Sequence, residues 1–291
     1  MPYSSVFRPD LFAGQTIIVT GGGSGIGRCT AHELSSLGAK VILIGRNADK
    51  LANVSAEIAE DGGEVDTAVC DIRVEDQVVE TVTTLVGRHG RLHHLVNNAG
   101  GQFPAPLEKI SQKGWETVVR TNLTGGFLMS REVYLQSMSK DGGGGIVNII
   151  ADMWHGMPTM GHSGAARAGM LNFTYTAAVE WAKGGVRVNA VAPGWIASSG
   201  FDTYDEATQQ HMKSLPRYVP LRRTGREAEV SAAIIFLLTP AANFITGTCI
   251  RVDGGVPNQV ADHPAGDHDN APEPYLGFHR EVLPKVARGD D

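Results

Sequence analysis

Apolar and polar positions follow two rhythms that take turns along the chain. Short β-branched runs (TIIVT at 16–20, KVILI at 40–44, GIVNII at 145–150) read as buried strands, as do 65–69, 92–96, 186–191 and 248–252. Between them, apolar residues recur at helical spacing over 26–37, 49–60, 75–89, 114–139, 163–183 and 226–238. Strand-helix alternation of this kind predicts an α/β fold: one doubly wound parallel sheet of about seven strands with helices on both faces. The pattern holds to about residue 255 and implies a single domain over 1–255, with no internal repeat. Residues 256–291 differ. They hold five prolines among mixed polar residues and read as a C-terminal arm or loose tail.

Composition narrows the classes. Of 291 residues, 42% are apolar and 19% charged, enough to bury a large core and too apolar for a disordered chain. The formal net charge of −6 argues against broad nucleic-acid or anionic-membrane binding. Three cysteines, far apart in sequence, make neither a disulfide framework nor a Cys-ligated zinc site. With an N-terminal stretch lacking the basic-then-apolar pattern of a signal peptide, and an Arg-Gly-Asp-Asp end that is no peroxisomal address, the expected setting is the reducing cytoplasm. No apolar run approaches 18 residues, so no membrane span is expected. The 36 glycines are the outlier, and they ask for tight turns or close backbone approach to a ligand.

The first strand runs straight into Gly21-Gly22-Gly23-Ser24-Gly25-Ile26-Gly27, where a helix begins. In that place, glycines let the chain turn sharply and bring a pyrophosphate onto the free N–H groups of a helix N-terminus. The end of the second strand selects the dinucleotide. An acid there would hold a ribose 2′-hydroxyl, but the sequence is Ile44-Gly45-Arg46-Asn47. Arg46 suits a 2′-phosphate, so NADP(H) is expected rather than NAD(H), with Arg28 as an assistant.

These stretches, together with Cys70-Asp71-Ile72, Asn97-Asn98-Ala99-Gly100, Thr121-Asn122-Leu123, Ala192-Pro193-Gly194 and Val252-Asp253-Gly254-Gly255, resemble the short-chain dehydrogenase/reductase family over residues 10–255. The resemblance implies a Rossmann-type fold. It implies that Gly21, Ser24, Gly25, Ile26 and Gly27 cradle the cofactor phosphates. Asp71 and Ile72 would lie at the adenine, and Asn98, Ala99 and Gly100 along the cofactor channel. Pro193, Gly194, Ile196 and Ser198 would clasp the nicotinamide end, and a substrate lid would span about 196–224. It also implies a homotetramer built on the helices at 114–139 and 163–183.

Departure from the family is sharpest where its catalytic Tyr, Lys and Ser should stand. Arg167 takes the Lys position, Ser163 the Tyr position and Ile150 the Ser position. An aliphatic hydroxyl is a poor acid and a guanidinium does not give up its proton, but both donate hydrogen bonds to an oxyanion. At i and i+4 they share a helix face. Hydride addition to the β-carbon of a trans-2-enoyl thioester makes such an oxyanion, and the segment His162–Gly169 resembles the branch holding trans-2-enoyl-CoA reductases. Its 2,4-dienoyl-CoA reductase relatives keep the lysine and use a tyrosine in the loop after the fifth strand. Here that loop has Asp152, Trp154 and His155 instead. The expected catalytic group is Asn122, Ser163 and Arg167, with His162 a candidate proton donor and Arg167 also touching the cofactor. The same branch includes dehydrogenases of citronellol-like alcohols, so alcohol oxidation with His162 as acid/base is the rival. A non-enzymatic NADP-binding protein is the third reading. Tyr175 is expected in the core. Met212, Tyr204 and Tyr218 would shape a greasy pocket under the lid, and Lys213, Arg217, Arg222 or Arg223 would meet CoA phosphates or simply face solvent. His263, His268, Asp262, Asp267 and Asp269 look like metal ligands but read as solvated tail residues, so no metal is expected.

Overall fold

The computed structural model describes residues 2–203, 206–260, 262 and 266–288. Seven strands form one parallel sheet: β1 (Thr16–Thr20), β2 (Lys40–Gly45), β3 (Val65–Val69), β4 (His94–Asn97), β5 (Gly144–Ile149), β6 (Val186–Pro193) and β9 (Cys249–Val252). Their spatial order is β3-β2-β1-β4-β5-β6-β9. The chain moves outward from β1 to β3, then returns to place β4 on the other side of β1. Val19 therefore sits beside both Leu43 of β2 and Val96 of β4. A crevice opens above the carboxyl ends of β1 and β4, where a parallel α/β sheet receives its ligand.

Strand alternation sorts the core into two layers. Ile17 and Val19 face one side, under α1 (Gly25–Ser36), α2 (Ala48–Glu60) and α8 (Glu227–Leu238), with Leu34, Val54, Ile58, Val230 and Ile234. Ile18 faces the other, under α3 (Glu75–His89) and α5 (Gly125–Val133), with Val78, Val82, Leu85, Met129 and Val133. Positions in the inner strands β1, β4, β5 and β6 are nearly all buried because helices cover both faces, while the edge strands β3 and β9 are only partly covered.

Most predicted elements lie within two residues of their expected bounds. The helix expected over 114–139 is not continuous. It runs as α4 (Gln112–Val119), a π turn over Arg120–Thr124, α5, and a second π turn over Tyr134–Met138. A π turn carries one extra residue, and here it carries Asn122 inward. α6 (Gly161–Glu180) starts two residues before its expected position. The 196–224 region contains α7 (Glu206–Ser214) and β7 (Ile196–Ala197), neither with a periodic signal, and β7 pairs in a two-stranded parallel ribbon with β8 (Gly225–Arg226), just beyond it.

The described part of 256–291 lies along the body of the domain. Phe278, 4% exposed, stacks on Tyr3 and under the Arg28 guanidinium, and Ser4 N–H donates to Gly277 C=O at 2.9 Å. Arg280 pairs with Glu60 and Asp61. Further back, the same stretch touches the 196–224 region: Arg222 donates to Gly266 C=O, and Arg223 to Pro272 C=O.

Candidate active site

The crevice is built first by Thr20. Its hydroxyl accepts from the N–H groups of both Asn98 and Ala99 at 3.0 Å, and Asn98 Nδ2 donates to the Thr20 carbonyl at 3.0 Å. These bonds lock the tips of β1 and β4 together. Gly21 (φ +66°) and Gly25 (φ +57°) take left-handed conformations that a side chain resists, and Gly21 backs onto Ala99 and Asn98 with no room for a Cβ. Gly27 has no space either, being pressed against the Gly21 carbonyl and Asn98. Ser24 caps α1 without bonding its hydroxyl to the helix, and no acidic residue stands in the first turn. The helix end thus offers bare N–H groups to an anion.

A cleft of about 570 Å³ runs from this turn. Gly21, Ser24, Ile26, Arg46, Asp71, Ile72, Asn98, Ala99, Gly100 and Ser198 all line it, so ten of the expected cofactor contacts converge on one surface. At its far end there is no carboxylate after β2. Arg46 makes no hydrogen bond or ion pair among the described residues, and Lys50 lines the wall beside it. Asp71 is clasped by Arg73 through backbone and guanidinium, which holds its carboxyl below the usual carboxylate range. Arg73, not singled out from the sequence, therefore pairs with Asp71, an acid that also feels the charge of Arg46. Arg28 does not reach this end. Its guanidinium is taken by Glu57 (2.7 and 2.9 Å) and the Arg280 carbonyl (3.0 Å). The glycine cradle and the free helix N–H groups fit the pyrophosphate of a dinucleotide.

Gly194 approaches Asp253 too closely for any side chain, and its N–H donates to Val252 C=O at 2.9 Å. The Pro193 carbonyl accepts from Asp152 N–H at 3.1 Å, and Ile196, 6% exposed, pairs with Gly225. The Asp152 carboxyl is pushed up by its own burial and then by Asp253.

The floor is made by the π turn, α6 and the loop after β4. Asn122 Oδ1 accepts from Gly101 N–H at 2.8 Å, while its Nδ2 donates to Gly101 C=O at 2.9 Å and to Ser163 Oγ at 3.3 Å. Ser163 Oγ donates to Gln102 Oε1 at 2.9 Å. Arg167 reaches across to donate from Nη1 to the Ile149 carbonyl at 2.5 Å, and its Nη2 lies against Gly100. Burial pushes this guanidinium down to about 10, so it stays charged at neutral pH. Ile150 is buried and brings no hydroxyl. Asn122, Ser163 and Arg167 are thus brought together. His162 lies inside the protein: its Nδ1 accepts from Ser163 N–H at 2.9 Å, its ring meets Phe103 edge-on at 4.4 Å, and its Nε2 has no hydrogen-bond partner among the described residues. Gln102 escaped the sequence reading. Its signal was an amide residue directly after the glycines that end β4.

Other expectations fare differently. Tyr175 is 46% exposed, because its position on α6 faces away from the sheet, so it is not a core residue. Arg222 and Arg223 are engaged by Asp267, Glu229 and tail carbonyls, while Lys213 and Arg217 are exposed on the surface. Met212 is buried and Tyr218 exposed, while Tyr204 and His263 lie outside the described residues. His268 Nε2 meets the Pro220 carbonyl, and among the described residues no three His, Cys, Asp or Glu side chains converge on a metal position. Nor is any helix there long and apolar enough to cross a membrane.

Comparison with known proteins agrees with this geometry. A family model described as enoyl-(acyl carrier protein) reductase matches residues 21–257. A probable 2,4-dienoyl-CoA reductase of Bacillus subtilis is 36% identical over 83% of this chain and 96% of its own. A peroxisomal 2,4-dienoyl-CoA reductase of Danio rerio is 34% identical over 87% of this chain and 85% of its own. The solved structure of a citronellol catabolism dehydrogenase from Pseudomonas aeruginosa PAO1 is 62% identical, covers 87% of this chain and 99% of its own, and superposes with a TM-score of 0.79.

Proposed function

Because the chain belongs to the short-chain dehydrogenase/reductase family, and is an NAD(P)-dependent oxidoreductase, we propose that it uses NADP(H) to reduce the double bond of a trans-2-enoyl thioester. One observation carries the reading. Among the described residues, the Ser163 hydroxyl bonds only the side-chain amides of Asn122 and Gln102, and neither amide can deliver a proton. Ketone reduction needs a proton delivered to oxygen, a task for an acid matched to the working pH. An enolate oxygen needs only donors.

The glycine turn and Ser24 would hold the pyrophosphate, Arg46 the 2′-phosphate, and Pro193, Gly194, Ile196 and Ser198 the nicotinamide end. A nicotinamide bound there supplies hydride. An enoyl thioester that gains hydride at its β-carbon becomes an enolate, with the new charge on the thioester oxygen. The α-carbon then takes a proton from water, and the saturated thioester leaves. Asn122 and Ser163 form the floor beneath that oxygen, and the desolvated Arg167 lends it a full positive charge. Steady oxidation of NADPH by medium- and long-chain trans-2-enoyl-CoA tests the proposal. No oxidation with any of them rejects it.

A second reading is favoured by the 62% identity to a citronellol catabolism protein. In it the substrate is an isoprenoid alcohol, oxidised with His162 as base. Reduction of NADP by citronellol, lost in His162→Ala, supports that reading. Buried Nε2 of His162 argues for a structural imidazole instead. The reading as a binding protein without turnover is set aside with the family assignment. Homotetramer formation through α4, α5 and α6 belongs to the same proposal, since Phe127, Leu135, Tyr175 and Val179 are exposed there. A solution mass of about four chains would support it, and a monomer would not.

A further inference from the structure

Building on the proposal that a thioester carbonyl enters this floor, we propose that Gln102 is a catalytic residue whose amide nitrogen donates to the substrate oxygen, with the Ser163 hydroxyl holding that amide in place. Ser163 has one hydroxyl proton, and the structure directs it to Gln102 Oε1 at 2.9 Å. Its lone pairs face Asn122 Nδ2 at 3.3 Å. Hydrogen-bond donation therefore runs in one direction, from Asn122 to Ser163 to Gln102, and each bond polarises the next. An amide is planar. With its oxygen turned toward buried Ser163, the nitrogen of Gln102 points the other way, and among the described residues nothing accepts from it.

Gln102 is exposed, yet the backbone on either side is fixed. Gly101 is gripped at both its N–H and its carbonyl by Asn122, and the Phe103 ring is seated on the edge of His162 at 4.4 Å. A side chain anchored at its oxygen and flanked by held neighbours is a preorganised donor, and little reorganisation is needed when charge develops beside it. This also gives the serine at the family's tyrosine position a use that does not demand acidity. It orients a neutral N–H donor, which never titrates.

The test compares the parent enzyme with Gln102→Glu and Gln102→Leu. Glutamate keeps an acceptor for Ser163 and removes both N–H donors; leucine removes acceptor and donors. Expected for both is a loss of kcat with NADPH and a trans-2-enoyl-CoA of at least about a hundredfold. NADPH affinity, read by quenching of its fluorescence, should stay within about twofold. Binding of a saturated acyl-CoA should weaken in both variants. Binding of the matching alkyl-thioether of CoA, which has no carbonyl oxygen, should not. Parent-like turnover in Gln102→Glu overturns the role, as does equal weakening of thioester and thioether binding. A parent that turns over no enoyl-CoA overturns the substrate reading and this role with it. Failure in the variants alone touches only Gln102.

Discussion

Asn122 holds Gly101 at both ends of its peptide unit, accepting from the N–H at 2.8 Å and donating to the carbonyl at 2.9 Å. The asparagine is 2% exposed and stands on a π turn that carries it out of the helical row. It therefore joins the loop after β4 to the floor under Ser163. Asn122→Ala removes the side-chain partner of both Gly101 backbone groups and one of the two partners of the Ser163 hydroxyl, at about 1 kcal/mol per bond lost. The expected result is a fall in melting temperature together with a loss of kcat of about a hundredfold. Asn122→Asp keeps the acceptor for Gly101 N–H but cannot donate, so it should recover part of the stability and little of the rate. A variant with parent kcat would remove Asn122 from the site.

The proposed preference for NADP(H) rests on Arg46. It makes no hydrogen bond or ion pair among the described residues, and Asp71, which feels its charge, is already occupied by Arg73. Arg46→Ala removes charge-assisted bonds worth about 1.5–3 kcal/mol to a 2′-phosphate, so NADPH affinity should fall by about tenfold to a hundredfold. NADH affinity should barely move. Titration of both cofactors against both proteins checks this, and equal preference in the parent contradicts it.

Glu227 gives the fold a pH signature. It is 3% exposed at the start of α8, and burial, followed by nearby Glu281, pushes its carboxyl up to about 7, with Arg28 pulling partly the other way. Its folded value lies above its ordinary value of 4.5. Below about pH 4.5 both states hold the proton and the group is neutral to stability. As pH rises toward 7 the unfolded chain loses the proton first, so stability falls, by on the order of 3 kcal/mol at the plateau. Glu227→Gln should be the more stable protein at pH 8, with the gap closing by pH 4.5 in denaturant melts. A gap that ignores pH would show that the carboxyl is not the cause.

Phe278 anchors the C-terminal arm. It is 4% exposed among Tyr3, His32 and the Arg28 guanidinium. Phe278→Ala should destabilise the domain by about 3 kcal/mol, as truncation of a buried aromatic does. Limited proteolysis should then cut within 256–288 before it touches the sheet. An unchanged melting temperature would mean that the arm is merely laid on the surface.

The sheet could be read in advance because its strands are β-branched runs between long periodic helices, and every glycine of the first turn has a steric task. Where the chain departs from periodicity, the reading failed. The π turn at Asn122 has the same apolar spacing as an unbroken helix, and α7 lies in a polar stretch with little amphipathic pattern. Arg28 and Arg46 look alike as sequence, and only the fold shows that Glu57 pairs with the first while the second makes no ion pair among the described residues. Gln102 lay unnoticed because its importance comes from a serine 61 positions away. Tyr175 was placed in the core by residue type, but the helix phase turns it outward. The arm's prolines signal the end of the periodic pattern and say nothing of the Phe278 pocket.

The most direct test of the central claim is where hydride lands. The enzyme should be incubated with NADPH deuterated at its transferable position and a medium-chain trans-2-enoyl-CoA, and the product read by mass spectrometry and NMR. The account predicts a saturated acyl-CoA with one deuterium at the β-carbon and a solvent proton at the α-carbon. Undiminished NADPH and unlabelled enoyl-CoA, in a protein that reduces NADP with citronellol, would contradict it.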